Sequence, residues 1–294
     1  MLLHKYVSAA TAMKIIHSKK LYCAPMSSFN DPFEGQVFEL HDSISKEVFA
    51  DEVCRQFREM HANGEEVPLE LDQYFNPIKG LVAFFQNGGL QEMDHKSFET
   101  ILRDFILSRE LLTEPSLFTL RVHQGLVEYL HVFCLSSNPN SLLMWSHYAD
   151  HHKGILLTFE TDIGDSFLSR AQPVSYVSEF PGTSSLSAIV ASHLGRKIDA
   201  TTLCATTSHT KSREWAYEEE WRVVLRHDEL DDLNLVSFPP EALRRVVFGC
   251  RMAMEDRAIF HDQLSRALPH VECFYSIRDS VGFRLHLLPQ PSET

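Results

Sequence analysis

Strand-like segments recur on both sides of a helical middle region, and they do not alternate regularly with helical ones. Each is short and rich in β-branched or aromatic residues. The candidate strands lie at residues 2–7, 21–25, 131–136, 154–159, 172–177, 221–225, 245–248, 271–275 and 282–287. A doubly wound fold needs strands and helices in alternation, so this order favours the α+β class.

Helical periodicity is concentrated between residues 43 and 131. From Phe98 to Ile106 the apolar residues follow the i, i+3, i+4, i+7, i+8 spacing of an amphipathic helix. Asn-Pro and Asn-Gly-Gly breaks divide the region into pieces. We predict a single α+β domain over residues 1–294 with a helical insertion or cap at 43–131. Further helices are expected at 9–18, 142–149, 184–210 and 255–267.

The formal net charge of −13 at pH 7 excludes broad classes of partner. A strongly acidic chain binds nucleic acid and anionic membranes poorly, so we expect no strong non-specific nucleic-acid binding and no membrane partner. With 44% hydrophobic and 23% charged residues, the composition is that of a soluble globular protein. The sequence has no apolar stretch of the length that crosses a bilayer.

Six cysteines are scattered along the chain without a CxxC pair. Most stand next to apolar residues, as Cys134 and Cys250 do, which is typical of buried free thiols rather than disulfides. Lysines interrupt the amino-terminal segment, which lacks the long apolar core of a signal peptide. A reducing cytoplasm is therefore the expected location.

The polarity of the chain changes abruptly after three consecutive carboxylates, Glu218 to Glu220, which run directly into the buried-strand pattern of residues 221–225. A carboxylate at the mouth of a strand is held by a rigid element and still borders a cleft, as a catalytic acid or stabilising anion requires. Glu220 is the first catalytic candidate and Glu218 the second. Alternatively, three basic residues pair with these acids in a solvated surface network: Lys211, Arg213 and Arg222.

Two phenylalanines frame a loop of turn-forming residues at 30–32. From a pinned loop of this kind, Ser28, Asn30 or Asp31 would present hydrogen bonds to a ligand. The alternative is an Asx turn closed by proline, with both phenyl rings plugged into the core.

Residues 144–148 bring aromatic and polar groups into one or two helical turns. Trp145 and Tyr148 share a helix face, where they contact a ligand or, alternatively, fill the core. His147 and His151 have the i, i+4 spacing of a metal pair. Because the sequence has neither an HExxH motif nor a defined third ligand, no metal site is predicted. The absence of GxGxxG, P-loop and GxSxG motifs disfavours dinucleotide-binding Rossmann folds, P-loop enzymes and α/β-hydrolases.

Five short motifs occur together in one order. They are Lys5-Tyr6, Phe-Asn-Asp-Pro-Phe-Glu at 29–34, Cys-Leu-Ser at 134–136, Met-Trp-Ser-His-Tyr-Ala at 144–149 and Tyr-Glu-Glu-Glu-Trp-Arg at 217–222. In this combination the chain resembles the bacterial domain of unknown function 2971 family. The resemblance spans residue 4 to about residue 250, and the joint occurrence of the motifs is specific.

The order of these motifs is also similar to that in ADP-ribosyltransferases, which carry a catalytic glutamate at the start of a late strand. This resemblance implies a mixed, mainly antiparallel β core with NAD as the substrate. It implies Glu220, with Glu218, as the catalytic residues. The residues implied to bind the nucleotide are Lys5, Tyr6, Ser28, Asn30, Asp31, Trp145, His147, Tyr148 and Arg222.

The residue types suit that chemistry. Cleavage of the nicotinamide–ribose bond builds positive charge on the sugar, which a fixed carboxylate stabilises. Tyr6, Trp145 or Tyr148 would hold the cationic nicotinamide ring by stacking. Lys5 or Arg222 would meet the pyrophosphate. Arg222 alternatively orients its acidic neighbours or supports the fold.

Three functions are therefore considered. The first is an NAD-dependent ADP-ribosyltransferase or NAD glycohydrolase of bacterial defence or toxin type, with an acceptor that the sequence does not specify. The second is a nuclease or metal-dependent hydrolase using His147, Glu218 and Glu220, which a chelator would inactivate. The third is a non-catalytic nucleotide-sensing or partner-binding protein.

Overall fold

A computed structural model describes residues 1–34, 45–67, 77–89, 93–108, 127–178, 186–196 and 207–289 of the chain. The chain divides into two compact units. Unit 1 comprises Met1–Glu34, Val127–Glu179 and Ser208–Thr294, and unit 2 comprises Gly35–Leu126 and Phe180–Thr207. The fold is mixed α+β with a mainly antiparallel sheet, as predicted at the level of fold class.

The strands are β1 (Leu2–Val7), β2 (Lys20–Tyr22), β3 (Ala24–Pro25), β4 (Leu130–Ser136), β5 (Ile155–Glu160), β6 (Gln172–Pro173), β7 (Ser175–Val177), β8 (Thr210–Ser212), β9 (Glu220–Arg226), β10 (Leu235–Ser237), β11 (Leu243–Phe248), β12 (Glu272–Arg278) and β13 (Leu285–Pro289). The α-helices are α1 (Ala9–Ser18), α2 (Lys46–Asn63), α3 (Pro77–Gln86), α4 (His95–Leu107), α5 (Leu142–His147), α6 (Leu186–His193) and α7 (Met254–Ala267). A 3-10 helix over Arg213–Glu218 leads into β9.

The main sheet of unit 1 has the strand order β13-β12-β11-β5-β1-β4-β9-β6, with β3 also paired to β4. Neighbours in this sheet are antiparallel except β11 and β12, which are parallel. Strand β1 therefore lies in the middle of the sheet, between β5 and β4. This position brings the amino terminus of the chain next to strands that lie more than a hundred residues later.

One face of the sheet carries the larger hydrophobic core, which α1 and α7 cover. Helix α1 begins where Ser8 caps its amino end by accepting from the Thr11 N–H, and it ends at Lys19 in the left-handed conformation. Its apolar residues point at the sheet because they share one helical face. The buried residues of this core include Leu3, Val7, Ile15, Ile16, Phe133, Leu135, Phe159, Val223, Leu225, Val246, Phe260 and Leu264.

The opposite face carries a smaller core under α5. Tyr6, Leu156 and Val247 are aligned across β1, β5 and β11, so their side chains point to the same side. Met144 and Trp145 of α5 pack against them. The register of the sheet therefore places α5 beside β1.

Unit 2 is helical and has its own hydrophobic core, formed by residues of α2, α3, α4 and α6. Its helices α2, α3 and α4 lie where the sequence predicts a helical insertion. The predicted stripe in α4 buries Phe98, Leu102 and Ile106, while Ile101 is exposed. Ser45 and Asp94 cap the amino ends of α2 and α4.

Three strand or helix predictions differ from the structure. Residues 21–25, predicted as one strand, contribute to two strands in different sheets, because β2 pairs with β10 whereas β3 pairs with β4. Residues 172–177 are divided in the same way between β6 and β7. The helix predicted at 184–210 is present at Leu186–His193, part of the rest lies outside the described residues, and Thr210–Ser212 is a strand paired with β7. Strand β10 was not predicted.

Among the described residues, none of the helices combines the length and the apolar character that a bilayer crossing requires.

Candidate functional site

The face of the sheet that carries α5 also carries a row of polar side chains on β4 and β9. Cys134 lies opposite Arg222, and Ser136 lies opposite Glu220. Side chains of a strand alternate between faces, so these four residues point to the same side of the sheet. His4 of β1 lies opposite Ser136 and extends the row onto the central strand.

A cavity of about 360 Å³ opens at this row, within the size range of small-molecule sites. All of its lining residues belong to unit 1. They are His4, Lys5, Tyr6, Ser28, Phe29, Asn30, Glu34, Cys134, Leu135, Met144, Tyr148, Lys211, Glu218, Glu220 and Arg222.

The backbone around Glu220 is held from both sides of the turn that precedes β9. Glu219 turns the chain in the left-handed conformation, with φ of 44°. The Glu220 N–H donates to the Tyr176 hydroxyl at 2.8 Å, and Ser136 Oγ donates to the Glu218 carbonyl at 2.6 Å. The side chains of Glu218 and Glu220 therefore extend into the cavity from a fixed backbone.

Arg222 forms ion pairs with two carboxylates. Its Nε lies 2.8 Å from Glu220 Oε1 and its Nη2 lies 2.9 Å from Glu220 Oε2. Nη2 also lies 2.6 Å from Glu34 Oε2, and Nη1 donates to the Ser208 carbonyl at 2.7 Å. The side chain is 0% exposed. Arg222 therefore binds the last residue of the first segment of unit 1 and the first residue of its third segment.

Lys211 completes the cluster from β8. Its Nζ lies 2.6 Å from Glu218 Oε2, 3.0 Å from Glu34 Oε1 and 3.1 Å from Glu220 Oε2. All five side chains of this ion cluster, Glu34, Lys211, Glu218, Glu220 and Arg222, are buried. Their mutual pairing offsets the desolvation that burial imposes on each charge.

The cluster keeps Glu220 ionised. Burial raises the pKa of the Glu220 carboxyl, but the charge and hydrogen bonds of Arg222 and the charge of Lys211 outweigh it and lower the pKa to about 2. Glu34 behaves oppositely, because burial outweighs the same two cations and raises its pKa. Carboxylates raise the pKa of both Lys211 and Arg222 against the effect of burial. Glu220 is therefore a fixed anion at neutral pH.

Three carboxylates face two cations in this cluster, so its formal charge is negative when all are ionised. The Tyr148 hydroxyl donates to Glu218 Oε1 at 2.7 Å. Burial, then the Glu218 charge, raises the pKa of Tyr148, which keeps the phenol protonated as a donor. The cavity thus presents an acidic wall beside an aromatic ring that is 36% exposed.

The structure brings most of the predicted site residues to one cavity. Those that line it are Lys5, Tyr6, Ser28, Asn30, Tyr148, Glu218, Glu220 and Arg222. Most of them also form hydrogen bonds within the protein, and in two cases these bonds bear on the predicted role. Lys5 Nζ donates to the Cys134 carbonyl at 2.8 Å. The donors of Arg222 are directed at Glu34, Glu220 and Ser208, so its geometry fits the orienting role rather than a pyrophosphate clamp.

Three predicted residues do not line the cavity. Trp145 is fully buried, packs edge-on against Tyr6 at 5.4 Å between ring centroids, and donates its indole N–H to the Pro139 carbonyl. Its contact is with Tyr6 rather than with the cavity. Asp31 accepts from the Phe33 N–H at 2.9 Å and forms the Asx turn of the alternative for its loop. The part of that alternative that placed both phenyl rings in the core is wrong, because Phe33 is 58% exposed.

His147 likewise lies outside the cavity lining, and its ring contacts Tyr148 and Tyr217. Across the described ranges, His, Cys, Asp and Glu side chains do not gather into a group of three that suits a metal ion. His147 and Glu220 therefore do not line the same cavity.

Several lining residues were not among the predicted site residues. They are His4, Phe29, Glu34, Cys134, Leu135, Met144 and Lys211. Burial, and then the charge of Arg245, lowers the pKa of His4 to about 4, so its imidazole is neutral at pH 7. Glu34 and Lys211 matter most because they complete the ion cluster. The sequence offered one signal for Glu34, its place at the end of the Phe-Asn-Asp-Pro-Phe-Glu motif.

Residues 144–223 match the model of a family described as "Protein of unknown function (DUF2971)". No curated protein and no solved structure matches the chain significantly. The matched segment includes six of the residues that line the cavity, Met144, Tyr148, Lys211, Glu218, Glu220 and Arg222. The match supports the predicted family resemblance over residues 144–223, a shorter span than the motifs suggested.

Proposed function

We propose that unit 1 is an NAD-dependent ADP-ribosyltransferase or NAD glycohydrolase that breaks the nicotinamide–ribose bond in the 360 Å³ cavity. One observation carries the proposal. Tyr6 of the first strand, Tyr148 next to α5 and Glu220 at the start of a late strand line the same cavity. We propose the ADP-ribosyltransferase type for the sheet on the same ground.

The proposed step uses Glu220 as a fixed anion. The C–N bond between nicotinamide and ribose breaks, and nicotinamide leaves as a neutral molecule with the bonding electron pair. Positive charge then builds on the sugar, and Glu220 stabilises it. Water or a nucleophile of the acceptor forms the new bond to C1′ and releases a proton. The pKa of Glu220, about 2, supports this role because the carboxylate is charged throughout the neutral pH range.

The cavity also suits the cationic nicotinamide ring of NAD. The exposed part of Tyr148 offers an aromatic face, and the adjacent ion cluster has a negative formal charge when all five of its groups are ionised. An aromatic ring next to fixed negative charge attracts a flat cation. Ser28 and Asn30 lie at the same cavity and offer hydroxyl and amide groups for the ribose or amide of the ligand.

The test is nicotinamide release from NAD by the purified protein. Glu220→Gln keeps the shape of the side chain and removes its charge, so we expect release to fall by about 100-fold or more. Glu219→Gln is the matched control. Glu219 is exposed and does not line the cavity, and its carboxylate accepts from Ser137 and Asn138.

Thermal unfolding of both variants separates loss of chemistry from loss of fold. Nicotinamide release that stays at background for wild-type protein, with water and with protein, RNA and DNA acceptors, would overturn the proposal. Equal release by wild type and a folded Glu220→Gln protein would remove Glu220 from the mechanism.

A second candidate function is nucleotide binding without turnover. It is favoured because the carboxylate oxygens of Glu220 already accept hydrogen bonds within the protein. Both of its oxygens already accept from Arg222, and Oε2 also accepts from Lys211. These bonds lessen the charge that Glu220 offers to a sugar cation. Under this candidate, calorimetry detects NAD binding to wild type and Glu220→Gln alike, and neither protein releases nicotinamide.

A further inference from the structure

A second cavity, of about 680 Å³, lies in unit 1 at the turn between β12 and β13. The turn and the strand ends that flank it supply most of its wall, and the start of α5 and the segments after α5 and β11 supply the rest. Its lining residues are Leu142, His152, Cys250, Arg251, Arg278, Asp279, Ser280, Val281, Gly282, Phe283, Arg284 and Leu285. None of them lines the cavity of Glu220.

The charge of this second cavity is opposite to that of the chain. Three arginines and one carboxylate line it, whereas the whole chain has a net charge of −13. The carboxylate of Asp279 already accepts hydrogen bonds from groups of its own turn and from two side chains. It accepts from the backbone N–H groups of Val281 and Gly282 at 2.7 Å, from Arg284 Nε at 2.9 Å and from His286 Nε2 at 2.5 Å.

Arg251 and Arg278 are exposed and take no part in an ion pair within the described part of the chain. Most of the other arginines described here pair with a neighbouring Asp or Glu. Two uncompensated guanidinium groups at one cavity are therefore the strongest local attraction for an anion, since a guanidinium matches the oxygens of a phosphate or carboxylate.

The same turn exposes apolar side chains. Phe283 is 101% exposed and Val281 is 93% exposed, although both belong to the wall of the cavity. A fully solvated phenyl ring next to guanidinium groups offers a stacking surface beside an anion site. That pairing of chemistries matches a ligand with a flat ring at one end and phosphates at the other.

The backbone under Arg251 is tied down. The Arg251 N–H donates to the His152 carbonyl at 3.0 Å, and the Gly249 N–H donates to the Gly154 carbonyl at 2.9 Å. Asp150, His151 and His152 all have positive φ, from 44° to 68°. Three consecutive non-glycine residues in this conformation are costly, and surrounding structure must hold them. Arg251 is thus presented from a constrained loop.

We propose that this cavity binds a nucleoside diphosphate, with the phosphates on Arg251 and Arg278 and the base on Phe283. The site is separate from that of Glu220, and the proposal does not depend on NAD cleavage. It adds a second nucleotide site to unit 1. Asp279 acts there as a positioning residue, because it closes the turn that carries Phe283 and orients Arg284.

Calorimetry with ADP and with pyrophosphate tests the site on the whole chain. We expect ADP to bind, and the double variant Arg251→Gln/Arg278→Gln to weaken ADP binding by about tenfold or more, because charge-assisted hydrogen bonds to phosphate are lost. Arg266→Gln is the matched control. Arg266 is an exposed arginine of α7 paired with Asp262, outside both cavities.

The variant Phe283→Ala distinguishes the contribution of the phenyl ring to binding from that of the phosphate contacts. We expect it to weaken ADP binding by about fivefold to a hundredfold, the range of one stacked base, and to leave pyrophosphate binding unchanged. Because Phe283 is fully exposed, its truncation leaves the fold intact. Failure of ADP to bind, or ADP binding equally strong in the double variant, overturns the proposal. So does tight binding of single-stranded oligonucleotide that requires these residues when ADP does not bind.

Discussion

The guanidinium of Arg222 forms two parallel hydrogen bonds with the carboxylate of Glu220, two residues earlier on the same strand. Nε lies 2.8 Å from Oε1 and Nη2 lies 2.9 Å from Oε2. Residues two apart on a strand point to the same face, so β9 itself supplies the pairing. The buried arginine fixes the orientation and the charge of the proposed catalytic carboxylate, and it extends the same contact to Glu34.

Replacement of Arg222 by methionine should destabilise unit 1 severely. The change leaves Glu34 and Glu220 buried with Lys211 as their one remaining cation in the cluster. Removal of one partner from a buried ion pair costs about 3–5 kcal/mol. Denaturant unfolding measures the loss. Arg226→Met at the exposed end of the same strand is the control and should cost about 0.5 kcal/mol or less. Similar losses in the two variants would contradict the buried cluster.

The stability that Glu220 contributes should depend on pH. Its pKa is about 2 in the folded protein and about 4.5 in an unfolded chain. A carboxyl with a depressed pKa stabilises the fold above its unfolded pKa, and the contribution is lost as pH falls through the folded value. The difference in free energy of unfolding between wild type and Glu220→Gln should therefore be largest above pH 4.5 and shrink toward pH 2. A difference that is constant from pH 7 to pH 3 would contradict the assignment.

Alanine substitutions of Trp145 and Tyr148 should have different effects on stability and on ligand binding. Trp145 is fully buried, so Trp145→Ala should lower the free energy of unfolding by about 3–5 kcal/mol. Tyr148 is partly exposed at the cavity, so Tyr148→Ala should cost about 1–2 kcal/mol and weaken NAD binding instead. Unfolding and calorimetry of both variants measure the contrast. A larger stability loss for Tyr148→Ala would place it in the core.

Gly154 should not tolerate a side chain. A Cβ at this position would lie 2.3 Å from the Val7 carbonyl oxygen and 2.8 Å from the backbone of Ala149. Neither neighbour is a flexible side chain, so β1 or the α5 turn must shift. We expect Gly154→Ala to cost about 3 kcal/mol, at the upper end of overpacking effects. In Gly89→Ala the atoms nearest to the new Cβ belong to the exposed ring of Phe84, which can move, so the cost should be smaller. Equal melting temperatures would contradict the close approach.

Local patterns predicted most elements of both units. The amino-terminal strand and α1 have the predicted bounds, and β4, β5, β9 and α7 differ from their predictions by a residue or two. The period of two residues in a strand and of 3.6 residues in a helix can be seen in the sequence itself, so these elements are predicted without knowledge of the tertiary structure. Short strands were predicted less well. Residues 21–25 divide between two sheets because their partners, β10 and β4, lie far away in the chain.

The candidate site was predicted unevenly for a similar reason. The abrupt change of polarity beside Glu218 and Glu220 identifies them in the sequence as catalytic candidates. Glu34 was overlooked, since it meets Arg222 only through a contact between residues 188 positions apart. Trp145 is predicted to contact a ligand because it is aromatic and shares a helix face with Tyr148. In the structure its side chain does not line the cavity and packs on Tyr6.

The sequence by itself determined the α+β class, the family resemblance of residues 144–223 and the position of Glu220 at the start of a strand, because short-range periodicity and local motifs encode them. Only the tertiary structure decided that Glu34 joins these charges and that the whole cluster is buried. Strand register set Cys134 opposite Arg222, and folding brought Glu34 and Lys211 to the same carboxylates. Burial then determined that Arg222 holds Glu220 rather than a ligand, because a buried charge must be paired and its free energy depends on its exposure to solvent.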